Sequence, residues 1–127
     1  MSGQNLIVGA LGEKAALTTL KNKGYKIIAV NYRNRFGEID LVARDGETLV
    51  FIEVKTRLTD TCGLPQDSVV QSKQKKISRV AVGFLKENNL LDKKARFDVV
   101  SVTFDVHQEP LVDVIQDAFE LDPRFTL

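Results

Sequence analysis

The stretch "GEIDLVARDGETLVFIEVKTR", residues 37–57, decides the fold. Two runs rich in Val, Ile, Leu and Phe flank Asp45-Gly46, a dipeptide favoured in tight hairpin turns, so the pattern predicts two antiparallel strands. Side chains alternate between faces along a strand, so Glu53 and Lys55 share one face while Ile52 and Val54 take the other. With Asp45-Gly46 as a two-residue turn, Arg44 faces Glu47 and Asp40 falls opposite Phe51. That sets Asp40 on the face of Glu53 and Lys55, one diagonal step from Glu53, about 7–8 Å between backbones. A four-residue turn preserves this parity, whereas a three-residue loop with a bulge reverses it. A Glu/Lys couple on a strand is commonly a solvated outer face, so its meaning depends on what else reaches that face.

Upstream, Leu6, Ala10, Leu17 and Leu20 recur at helical spacing and predict a helix from Asn5 to about Lys23, stopped at Gly24. Taking Leu6 as zero at about 100° per residue, Glu13 falls near −20°, in the middle of this apolar stripe. A carboxylate there either slides to an edge, pairs with an arginine, or needs a cation, for which Lys55 or a divalent metal shared with Asp40 and Glu53 are the candidates. "YKIIAVNYR" reads as a strand. Downstream, the loop "TDTCGLPQD" precedes a helix from about Ser68 to Glu87, closed by Asn88-Asn89. Its buried arc is Val69, Ile77, Val80 and Phe84, and Lys73 falls inside that arc. "RFDVVSVTF" is a further strand, and "VDVIQDAF" reads as a short final helix or turn. The expected order is αβββαβ: an α/β fold with a mixed β-sheet flanked by helices.

At 127 residues the chain fits one domain, 1–127. Its 43% hydrophobic and 28% charged residues suit a globular protein rather than a disordered one. The longest charge-free stretch near the start, "NLIVGALG", is too short to span a membrane and lacks the marks of a signal peptide. Cys62 stands alone, which excludes an internal disulfide and fits a reducing, cytoplasmic setting. Lys and Arg outnumber Asp and Glu 17 to 10 over residues 1–97, against 1 to 7 over residues 98–127, an asymmetry that fits attraction of a polyanion by the body of the chain.

Asp and Glu oxygens are the hard ligands that magnesium prefers, and a site with two or three of them leaves positions for water and phosphate oxygens. A neighbouring lysine can orient a water or neutralise a transition state. The rival chemistries lack partners: His107 reads as a surface histidine, Cys62 has no histidine beside it, and "GALGEKA" lacks phosphate-loop spacing.

In order and spacing, "GEIDLVARD", "LVFIEVKTR", "VVQSKQKKI", "RFDVVSV" and "IQDAF" resemble the YraN-like family of uncharacterised bacterial proteins. That family is similar in pattern to the restriction-endonuclease-like superfamily, whose PD-(D/E)xK signature Asp40 and Glu53-Val54-Lys55 match, with Ile39 in place of the proline. Glu13 resembles the extra helix-borne acid of archaeal Holliday-junction resolvases. The resemblance implies a metal-dependent endonuclease on structured or branched DNA, with Glu13, Asp40, Glu53 and Lys55 catalytic, the three acids holding Mg²⁺ or Mn²⁺. Arg33, Arg35, Arg57, Lys73, Lys75 and Lys76 are the candidate phosphate contacts. A resolvase-like task calls for a homodimer. The alternatives are a DNA-associated adaptor that keeps the scaffold and binds a protein partner, and a structural ion-pair network with no ligand.

Overall fold

The computed structural model describes residues 3–58, 71–104 and 110–119. The expectations for Thr59 to Gln66, Cys62, Ser68, Val69 and His107 lie outside the described residues. The elements are α1 (Gly3–Asn22), β1 (Lys26–Asn34), β2 (Gly37–Asp45), β3 (Thr48–Leu58), α2 (Gln71–Glu87), β4 (Ala95–Phe104) and β5 (Leu111–Phe119). They form one five-stranded sheet in the order β1-β2-β3-β4-β5. β3 and β4 run parallel across the α2 crossover, and the other neighbours are antiparallel, which makes the sheet mixed.

Alternation along the central strands splits the core in two. Leu49 and Phe51 of β3 join Phe97 and Val99 of β4 against Ile77, Val80, Phe84 and Leu85 of α2. Val50 and Ile52 join Val100 and Val102 against Ala16 and Leu20 of α1. The sheet therefore carries α1 on one face and α2 on the other, and β2, β3 and β4 read as apolar runs because both of their faces are covered. Both helices close with a residue in the left-handed region, Gly24 (φ 94°) and Asn89 (φ 56°). The following amides, of Tyr25 and Leu90, reach back to the carbonyls of Leu20 and Leu85.

Three expectations are corrected. The segment "VDVIQDAF" forms β5 rather than a helix or turn, giving αβββαββ. Val112 and Val114 pack on the α1-side core while Leu111, Asp113 and Ile115 are exposed, a period of two that β-branched residues favour. The β2–β3 hairpin turns at Gly46-Glu47, so that Asp45 pairs with Thr48, Arg44 with Leu49 and Val42 with Phe51. Gly46 (φ 61°) takes the first central position, where a II′ turn wants glycine. The register thus moves by two residues, and parity is unchanged. Finally, α1 buries Gly12, Ala16 and Leu20 while Ala10 is exposed, so the helix is turned by about 80° from the expected stripe.

Candidate active site

The rotation of α1 follows from Gly12. A Cβ there would lie 2.7 and 2.9 Å from Cγ2 and Cβ of Thr56 and would also strike its Oγ1, so only glycine lets the helix press this closely on β3. Glu13 is thereby moved from the centre of the buried arc to its flank. It is half-buried, and its Oε1 accepts from Asn31 Nδ2 at 3.3 Å rather than from an arginine.

Asn31 lies opposite Asp40, because Val30 pairs with Leu41 and Tyr32 with Ile39. Its φ of 53° is uncommon for a strand residue and is tolerated best by Asn among the non-glycines. Across from it, Ile39 packs on the α2 side and Leu41 on the α1 side, so the strict alternation of β2 breaks at Asp40. Pairing of β2 with β3 ends at Leu41 and Ile52. Into the gap beyond, Asp40 Oδ2 accepts the Val54 N–H at 2.7 Å.

Asp40 and Glu53 are in hydrogen-bond contact, and Glu13 is close enough for its charge to act on Asp40. Burial first, then the charge of Glu53, raise the Asp40 carboxyl from 3.8 to about 6; the Val54 amide opposes the rise and Glu13 adds to it. Three carboxylates thus converge from a helix and two strands. Val54 packs on the α1-side core, so Glu53 and Lys55 point to the α2 side, as alternation predicts. The cation on Glu53 is Lys73 of α2, with Nζ 2.9 Å from Oε1. Lys55 is not the partner that bonds Glu53 among the ion pairs described; burial lowers its ammonium's pKa, Lys73 and Arg57 lower it further, and Glu53 opposes them.

The donor set suits a hard divalent cation: Asp40 and Glu53 offer carboxylate oxygens side by side, and burial together with the Glu53 charge raises the Asp40 carboxyl to about 6. As they stand, however, no three acidic, imidazole or thiol groups among the described residues are gathered closely enough to hold a metal. Asp40 and Glu53 fit the role of ligands, with Glu13 held to one side by Asn31.

Of the basic candidates, Arg57 and Lys73 lie beside Lys55. Lys75 and Lys76 are exposed on α2. Arg33 is engaged by Glu38 at 2.9 Å on the β1–β2 hairpin, and the Arg35 guanidinium lies 4.7 Å over the Phe36 ring at its turn. Sequence reasoning missed Asn31, whose signal was a strand-averse amide inside an otherwise apolar run.

It also missed a second polar cluster, joining the β2–β3 hairpin end of the sheet to the end of α1. Asp98 is completely buried and receives Arg96 Nε at 3.0 Å, the Tyr25 hydroxyl at 3.1 Å and the Asp117 amide at 2.9 Å. Arg96 also donates to Asp45 at 2.8 Å, and Gln116 donates to Tyr25. Among the described residues no buried side-chain polar atom lacks a hydrogen-bond partner, and Arg96 bonds both carboxylates of this cluster, which marks it as structural.

A family model described as "Uncharacterised protein family UPF0102" matches residues 12–102, a span that holds Glu13, Asp40, Glu53, Lys55 and Lys73. Similar proteins bear the name UPF0102 protein. One from Geotalea uraniireducens (strain Rf4) is 47% identical, the match covering 92% of each chain. One from Syntrophus aciditrophicus (strain SB) is 48% identical over 93% of this chain and 92% of its own. One from Geobacter metallireducens is 49% identical over 95% of this chain and 98% of its own. Among solved structures, "The structure of Pyrococcus Furiosus SfsA in complex with Ca2+" aligns with a TM-score of 0.44 at 9% identity, covering 88% of this chain and 63% of that one. That likeness is too distant to bear on fold or activity.

Proposed function

The chain belongs to the uncharacterised protein family UPF0102, and we propose that it is a metal-dependent endonuclease of the PD-(D/E)xK type that hydrolyses phosphodiester bonds in structured or branched DNA. One observation carries this reading: Asp40 and Glu53 meet at the point where β2 and β3 part, where burial first and the Glu53 charge second raise the Asp40 carboxyl to about 6, with Lys55 on the same face as Glu53. Holding Asp40 buried beside Glu53 costs free energy that a bound cation would offset beyond what Lys73 supplies to Glu53. The mixed sheet with one helix on each face supports a restriction-endonuclease-like fold.

Asp40 and Glu53 would hold Mg²⁺ or Mn²⁺, with Glu13 in reserve beside them. Such an ion supplies Lewis acidity at the scissile phosphate. Lys55 has an ammonium disfavoured by burial and by two cationic neighbours, which suits a group that orients a water and shares a proton with it. Arg57, Lys73, Lys75 and Lys76 offer positive charge to a phosphate backbone along β3 and α2, and Arg33 and Arg35 extend it along the hairpin. A homodimer would set two such sites on two strands of a junction. Among the described residues no helix is long and apolar enough to cross a membrane.

A second reading, an adaptor that binds DNA and a protein partner without cutting, is favoured by the engagement of Glu53 with Lys73. The two separate on one panel. The protein is incubated with Mg²⁺ or Mn²⁺ on linear, nicked, flap and four-way-junction DNA and on RNA, beside Asp40→Asn and Lys55→Ala. Cleavage lost in both variants supports the nuclease; binding without cleavage under every metal condition supports the adaptor.

A further inference from the structure

Glu53 stands 14% exposed in its side chain, next to Asp40 on one side and Lys55 two residues along its own strand. A cation for it was already at hand in Lys55, yet the group that bonds it comes from another element: Lys73 at the start of α2, 2.9 Å away and 44% exposed. This lysine raises the positive charge around Lys55, which it disfavours, and it occupies a carboxylate that the nuclease reading assigns to a metal. A long flexible stem with an ammonium half in water can leave such a contact with little rearrangement.

We propose that Lys73 is an exchangeable counter-ion. It neutralises Glu53 while no divalent cation is bound, yields that carboxylate when one binds, and turns its freed ammonium to a phosphate oxygen of the nucleic acid. The inference rests on the reading of Asp40 and Glu53 as a cation site. Its consequence is coupling: an anion that draws Lys73 away from Glu53 raises the affinity for the divalent cation, and by linkage the cation raises the affinity for the anion. Metal loading would then be favoured where a phosphodiester is already in place. Lys73 acts here through Glu53, as a positioning residue.

The test uses Mn²⁺ as probe, followed by titration calorimetry on the whole chain, with wild type, Lys73→Gln, Lys73→Arg, Asp40→Asn, and Glu53→Gln alone and paired with Lys73→Gln. Removing one partly solvated charge beside the bound ion should tighten Mn²⁺ binding about three- to tenfold in Lys73→Gln. Lys73→Arg, which keeps the ion pair, should stay within about twofold of wild type. With Glu53→Gln in place the gain from Lys73→Gln should vanish. Thermal unfolding with and without Mn²⁺ provides the second readout: the rise in Tm on adding Mn²⁺ should be larger for Lys73→Gln than for wild type. A purely structural lysine would lower the starting Tm and leave the affinity unchanged. If Lys73→Gln binds Mn²⁺ no better than wild type while Asp40→Asn abolishes binding, the exchange is wrong and the cation site stands. If neither wild type nor Lys73→Gln binds Mn²⁺, the cation site itself is wrong, and the exchange falls with it.

Discussion

Replacing Asp40 with asparagine should make the metal-free protein more stable at pH 7.5, even though it alters the centre of the site. The Asp40 carboxyl titrates at about 6 in the fold against an ordinary 3.8, so the folded state binds the proton more tightly than the unfolded chain. For such a raised acid the stability contribution is full at pH below about 3.8 and is lost as pH climbs through 6. Each tenfold change in proton affinity corresponds to about 1.4 kcal/mol, so ionising Asp40 opposes folding by about 3 kcal/mol at pH 7.5. Asparagine removes the charge and can still accept the Val54 N–H that Asp40 Oδ2 takes at 2.7 Å. The amide brings about 1 kcal/mol of its own desolvation, leaving a net gain of about 2 kcal/mol. Urea unfolding in EDTA at pH values from 3.5 to 8 reads this directly. The variant should be about 1 kcal/mol less stable than wild type at pH 3.5 and about 2 kcal/mol more stable by pH 7.5, a swing of about 3 kcal/mol. Subtracting the curves cancels the acid sensitivity of the Asp98 cluster, which both chains share. A variant less stable than wild type at pH 7.5, with an unchanged pH slope, would refute the claim that burial and the Glu53 charge raise the Asp40 carboxyl in this fold.

Gly12→Ala should destabilise the chain by about 1–3 kcal/mol in urea and weaken Mn²⁺ binding as well, since the added methyl meets Thr56 and pushes α1, with Glu13, away from β3. Thr56→Ala in the same chain should restore part of both losses; no recovery would mean that this contact does not set the helix. Asp98→Ala should cost about 3–5 kcal/mol by taking the buried acceptor away from Arg96 Nε, the Tyr25 hydroxyl and the Asp117 amide, measured as a drop in Tm with little change in metal affinity of what remains folded. Lys55→Met should abolish cleavage while stabilising the metal-free fold. Burial and the charges of Lys73 and Arg57 depress the Lys55 ammonium, so its charged form opposes folding at every pH below its folded value and the opposition fades as pH rises toward 10.5. A Met variant that unfolds at lower urea than wild type at pH 7.5 would contradict that environment.

What was legible in the sequence is what depends on periodicity. The alternation of β3 puts Glu53 and Lys55 together whatever the turn, and the two-residue slip of the hairpin keeps parity as far as Leu41, whereas the break of alternation at Asp40 was not legible. What depends on close approach was not legible. The stripe through Leu6, Ala10, Leu17 and Leu20 marks the most apolar side of α1, but the side that packs is the one where Gly12 meets the Thr56 side chain of β3 and Ala16 joins the core. The segment of β5 carries too few periods to tell a helix from a strand until β4 offers an edge to pair with. Lys73 and Glu53 are 20 positions apart in sequence, and only the α2 crossover brings them together. Likewise, of the partners of Asp98 only Arg96 is local; Tyr25 comes from the turn between α1 and β1 and the Asp117 amide from β5, so no single window contains them.

The most direct measurement is anomalous scattering from a crystal soaked in Mn²⁺ at neutral pH. A peak about 2.0–2.3 Å from oxygens of both Asp40 and Glu53, with the Lys73 ammonium swung off Glu53, is the predicted result. Saturating Mn²⁺ with no peak between these carboxylates, and Lys73 still bonded to Glu53, would contradict it.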